Sequence, residues 1–321
     1  MVKVPKGYRS KNVRDTRSSG GSRRSTRGFG GGSRASRGGL GSGGLSGGTL
    51  GRSQGQRGGC GLGFLLVLAL GAFLLFNGLA SNPDSTATSS NNSGDNIGVE
   101  GDANSESEEE ARAFDLINFV LDDLQNDFWP QEFAEGGLEW QDAMVNVFEE
   151  GVNTGGCGSA TSAVGPFYCP ADNTAYIDIE YMFLLQNQLG AEGDFSQAYI
   201  LAHELGHHVQ NLLGINAALR QAQSVVGQVE SNALQVGLEL QADCFAGAWA
   251  RSFSDRGFLD EGDLDEGVNA AGAVGDDAIT GSTNQENFTH GSSAQRIEWF
   301  NVGFNEGTDS CTTFNGALSP G

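Results

Sequence analysis

At 321 residues the chain is long enough for one or two domains with real cores, and its formal net charge of −22 hides two parts of opposite sign. Residues 1–60 carry 13 Lys/Arg against one acid, Asp15, whereas the remaining 261 carry 5 Arg against 39 acids. That acid excess, with no Lys after Lys11, argues against nucleic-acid binding by the later part and for solubility.

Residues 1–60 are rich in Gly, Ser and Arg and nearly free of apolar side chains. Such a segment buries too little surface to offset its ordering entropy, so it reads as a disordered basic tail. The apolar run GLGFLLVLALGAFLLFNGLA follows at residues 61–80, uncharged and of the length that spans a bilayer core of roughly 30 Å as a helix. The basic residues before it predict a single crossing in the cell membrane, with the N-terminus cytoplasmic and the acidic part outside. Any contact of the Arg-rich tail would then be with anionic lipid head groups. Residues 81–106 are polar and read as a flexible stalk.

A folded domain is expected over 107–321. Ser107 with Glu110 has the form of a capping box, Phe114, Ile117, Leu121, Leu124 and Phe128 recur at helical spacing, and Pro130 is expected to end the run. Residues 175–181, AYIDIEY, alternate like a half-buried strand. Four cysteines fall in this domain, Cys157, Cys169, Cys244 and Cys311. An even number in an oxidising compartment implies two disulfides. Three pairings are possible. The short Gly-rich loop between Cys157 and Cys169 favours that pair, leaving Cys244 with Cys311.

The chemistry lies in YILAHELGHHVQNLLG at 199–214. His203 and His207 are four apart, so on a helix they share a face and can grip one ion at about 2.0–2.1 Å. Leu201 and Leu205 lie on roughly the opposite side, Gly206 removes bulk beside the ligands, and Gly214 is a stop signal. Catalytic zinc takes three protein ligands and leaves a position for water. Glu239 is the candidate third ligand, and Asp243, one turn on, is placed to accept the free N–H of a ligand histidine. Glu204 projects about 100° from His203, outside the ligand set but able to take a proton from the activated water and return it to a leaving amine. His208 reads as structural or surface. His290, in a loop before a helix capped by Ser292 and Gln295, is a candidate oxyanion stabiliser, with Arg296 as a second and Tyr168 and Tyr176 as further candidates.

HELGH followed by ELQAD at 239–243 resembles the gluzincin arrangement of zinc metallopeptidases. More narrowly, the blocks at 156–171, 175–185, 202–214, 239–250 and 289–305 resemble the bacterial membrane-anchored neutral zinc metallopeptidase family. The resemblance implies an α+β, zincin-like domain, a Zn2+ cofactor, a peptide or protein substrate, and an edge strand that pairs with it; residues 175–181 are the candidate. Two other functions compete: a catalytically silent surface protein that keeps its zinc for structure, and a zinc hydrolase of non-peptide amides. A structural zinc has no use for a carboxylate at Glu204, which separates the first of these from hydrolysis.

Overall fold

The expected apolar stripe builds the first helix. In the computed structural model, which describes residues 1–17, 103–189 and 193–314, α1 spans Ala103–Asp123 and buries Phe114, Ile117 and Leu121. Ser107 lies inside it and is not its cap. Pro130 does not end the run either. One turn of π-helix, Leu124–Phe128, re-aims the chain, and Pro130 sits in the first turn of α2, Trp129–Glu135, where its missing N–H costs nothing.

Short strands follow: β2 Met144–Phe148, β3 Gly151–Asn153, β4 Ser159–Thr161, β5 Phe167–Cys169 and β6 Thr174–Asp178. β3 and β4 form a separate antiparallel ribbon. In the main sheet β6 is an interior strand, parallel to β2 on one side and antiparallel to β5 on the other. Residues 175–181 are therefore neither a half-buried strand nor an edge. All five β6 residues are buried, and α3, Ile179–Leu189, begins before the alternation is complete. The edge beside the helices is β5.

The sheet's other edge corrects the expected tail. Val13–Asp15 form β1, parallel to β2 with Val13 opposite Val145. Ser10 N–H donates to Asn118 Oδ1 at 2.9 Å, Tyr8 O–H to Asp122 at 3.0 Å, and Thr16 N–H to the Val147 carbonyl at 2.8 Å. The guanidinium groups of Arg9 and Arg17 both lie over the Phe114 ring. Residues 1–17 thus belong to the folded unit, because few-residue strand pairing and aromatic–cation contacts supply what composition averaged over sixty residues conceals. Residues 18–102, which include the rest of the tail, the expected crossing at 61–80 and most of the stalk, lie outside the described residues; among those described, no helix is long and apolar enough to cross a membrane.

The helical layer comprises α4 Asp194–Leu212, α5 Ile215–Gln223, α6 Gln228–Asp255, α7 Asp263–Ala273, α8 Asp276–Thr280 and α9 Ser293–Glu306. α6 is buried on every side from Gly237 to Ala250 because α4 and α9 flank it. Its crossing with α9 is backbone on backbone: a Cβ on Gly303 would lie 1.8 Å from the Cys244 carbonyl oxygen, and one on Gly247 would lie 2.0 Å from that of Phe300. Gly206 does the same between α4 and α6, where a Cβ would meet the Ala242 Cα at 3.0 Å. The result is a mixed helix-and-sheet domain held by two disulfides, Cys157–Cys169 and Cys244–Cys311, the favoured pairing of the three.

Candidate metal centre

α4 ends where expected, with Gly214 at φ 75° in the left-handed region after the Leu213 N–H has bonded back to Val209. Over its last three turns it presents His203 and His207 on one face while Leu201 and Leu205 are fully buried on another. The contact at Gly206 brings α6 close enough for Glu239 to meet both rings. His203 Nε2 lies 3.2 Å from Glu239 Oε2 and His207 Nε2 lies 3.6 Å from the same oxygen.

One ligand atom from each of His203, His207 and Glu239 falls within a 4.8 Å cluster. The chemistry of this donor set fits zinc: two imidazole nitrogens and a carboxylate oxygen converge, and each ring turns its other nitrogen away onto an acceptor. For His203 that acceptor is Asp243, at 2.8 Å from Nδ1; for His207 it is Gln210 Oε1, also at 2.8 Å. Burial alone would raise the Glu239 pKa, but the two histidines outweigh it and hold the carboxyl well below its ordinary range.

Asp243 is fully buried at the centre of a polar cluster. Arg296 of α9 reaches it with Nε to Oδ2 and Nη2 to Oδ1, both at 2.9 Å, and Tyr199 O–H donates to Oδ1 at 2.5 Å. Arg296 and His203 overcome the cost of burial and keep Asp243 ionised. Arg296 therefore holds the carboxylate that orients His203, which removes it from the oxyanion candidates.

Glu204 is 5% exposed, lies beside the ligand trio, and is not drawn into it; no described residue donates a hydrogen bond to its carboxylate. Burial raises its pKa, with His207 and His203 opposing. His290 precedes the expected capping box, in which Ser292 and Gln295 bond reciprocally. Its loop packs on the turn of α6 that carries Glu239, since Gly291 lies against Val236 and Leu240. Asp276 organises this loop: its Oδ2 accepts the backbone N–H of Thr289, His290 and Gly291, and its Oδ1 lies 3.0 Å from His290 Nδ1. His208 is structural, fully buried between Tyr168 O–H on β5 and the Gln141 carbonyl, at 2.8 and 2.7 Å.

Tyr199, Gln210 and Asp276 were not singled out from sequence. Tyr199 and Gln210 had a signal in their spacing, four before His203 and three after His207, which puts each on the metal face of α4. Asp276 had none, because its partners are backbone groups of a loop fourteen residues away.

A helix-borne His–x–x–x–His pair joined by a carboxylate from a second helix defines a zinc-type metal centre. The chain belongs to the neutral zinc metallopeptidase family, whose model, described as "Putative neutral zinc metallopeptidase", matches residues 3–314. The match begins at residue 3 and so includes β1. Zinc is the cofactor that this family implies. The chain is 42% identical over 219 residues to the uncharacterized protein YpfJ of Escherichia coli strain K12, covering 67% of this chain and 75% of that one. It is 45% identical over 196 residues to the uncharacterized proteins Mb2605 of Mycobacterium bovis and Rv2575 of Mycobacterium tuberculosis, covering 54% of this chain and 62% of each of theirs. No solved structure matches.

Proposed function

We propose that the chain is a zinc metallopeptidase of zincin-like architecture, which hydrolyses peptide bonds with Glu204 as general base. The observation that carries this reading is Glu204 itself, a buried carboxylate beside three zinc-type ligands and outside their set. His203, His207 and Glu239 would hold the ion. Zinc supplies Lewis acidity, which activates water and polarises the scissile carbonyl. Glu204 takes the proton of the attacking water and delivers it to the departing amine; a carboxylate whose pKa is raised by burial is suited to doing both near neutral pH. His290, whose ring Asp276 holds through Nδ1, is the oxyanion donor in this reading. The extended substrate lies along β5, the edge strand that α4 packs against. The test is zinc content and hydrolysis of an unfolded protein such as casein by the full chain, before and after chelation. One zinc per chain and chelator-sensitive cleavage are expected; zinc without cleavage of any peptide would leave a zinc-containing binding protein.

The two disulfides support an oxidising, extracytoplasmic compartment for the domain, with the apolar run 61–80 associating the chain with the membrane. β1 pairing supports placing residues 1–17 in that same compartment. In a Cys60→Ser background, both Lys6→Cys and Glu139→Cys are expected to react with a membrane-impermeant maleimide on intact cells. Labelling of Glu139→Cys alone would restore a single crossing with a cytoplasmic N-terminus.

A further inference from the structure

Gln210 lies fully buried on α4, one turn beyond His207. Its Nε2 is 2.7 Å from the Leu238 carbonyl oxygen and 3.2 Å from Gln241 Oε1. A carbonyl oxygen only accepts, so the NH2 end of the Gln210 amide must face Leu238. Gln241 gives the same answer independently. Its own Nε2 donates to the Cys311 carbonyl at 2.9 Å, which turns its Oε1, again only an acceptor, toward Gln210. With both N–H groups committed, Gln210 Oε1 faces His207 Nδ1 at 2.8 Å. That nitrogen must carry the ring proton, and the lone pair is left on Nε2, the atom that faces Glu239.

We propose that Gln210 is the positioning residue of His207: it selects the ligating tautomer and ties the ring to the turn of α6 that presents Glu239. The selection originates in fixed backbone carbonyls, those of Leu238, next to the third ligand, and Cys311, held against α6 by its disulfide. His203 receives its orientation from a buried ion pair and His207 from this amide chain, so the two ligands are set by separate devices. The inference rests on the zinc-site reading above, and its test can fail independently of it.

The chain has 4 histidines, so selective 15N-histidine labelling resolves each ring in the full-length protein. Without zinc, at a pH that keeps the ring neutral, His207 is expected as a single Nδ1–H tautomer. An Nε2–H or mixed ring in the wild type would overturn the proposal, whether or not the protein binds zinc. Gln210→Met removes the acceptor, and a mixed tautomer with about 10–100-fold weaker zinc binding is expected. Gln210→Glu keeps an acceptor toward His207 but cannot donate to Leu238. It is expected to keep the Nδ1–H tautomer and to lose less zinc affinity than Gln210→Met. Equal losses in both variants with the tautomer unchanged would mean that Gln210 merely ties two helices together; wild-type zinc affinity in Gln210→Met would remove it from the site.

Discussion

Replacing Glu204 by Gln is expected to lower kcat for peptide hydrolysis by roughly 10²–10⁴-fold while zinc stoichiometry stays at the wild-type value. Gln has the shape of Glu but accepts no proton, so the change removes the base and little else. The ligand trio does not include Glu204, and no described residue donates to its carboxylate, so no buried partner is orphaned by the change. Burial already raises the pKa of this group, and a neutral amide at a site 5% exposed fits at little cost to folding. Zinc content by metal analysis and kcat on casein, measured side by side, check it. A variant that hydrolyses at the wild-type rate would exclude Glu204 as the base; one that loses zinc would show that the carboxylate supports the ligands.

Arg296→Met is expected to cost about 3–5 kcal/mol, the largest stability loss we predict, because it strands the charge of Asp243. Arg296 is 2% exposed and Asp243 is 0% exposed, and their two-point contact is the main offset to burying that carboxylate. In thermal unfolding the loss should appear as a drop on the order of 10 °C. The double variant Arg296→Met with Asp243→Asn removes the stranded charge and is expected to recover part of the stability. Its zinc affinity should stay below wild type, since a neutral Asn amide accepts the proton of His203 Nδ1 more weakly than the Asp243 carboxylate does. Were the single variant as stable as wild type, the ion pair would not be the device that holds His203.

The candidate site was legible in HELGH and ELQAD because helical periodicity converts spacing into a shared face. Two histidines four apart and two acids four apart point the same way on any regular helix, whatever the surrounding fold. The disulfide pairing was legible for a similarly local reason, a short loop between Cys157 and Cys169. Arg296 was not, because a guanidinium at the start of a helix has the same sequence signal whether it meets an oxyanion or a buried carboxylate. Only the backbone contact at Gly247 and Gly303, which sets how α9 lies on α6, decides between them.

What the sequence by itself determined is the donor set of the centre: the zinc-type donors His203, His207 and Glu239, the carboxylate of Glu204 beside them, and that of Asp243, which turns one ring. Local rules suffice for each pair, since His203 and His207, and Glu239 and Asp243, are one turn apart on their own helices; that the two pairs meet rests on the packing of α4 against α6. Only the tertiary structure decided which strand is the edge, that residues 1–17 complete the sheet, and which partners orient the rings. The physical reason is sequence separation. β1 and β2 are joined through more than a hundred residues, and Gln210 reads carbonyls on another helix. Contacts of that kind leave no periodic trace in the chain that makes them.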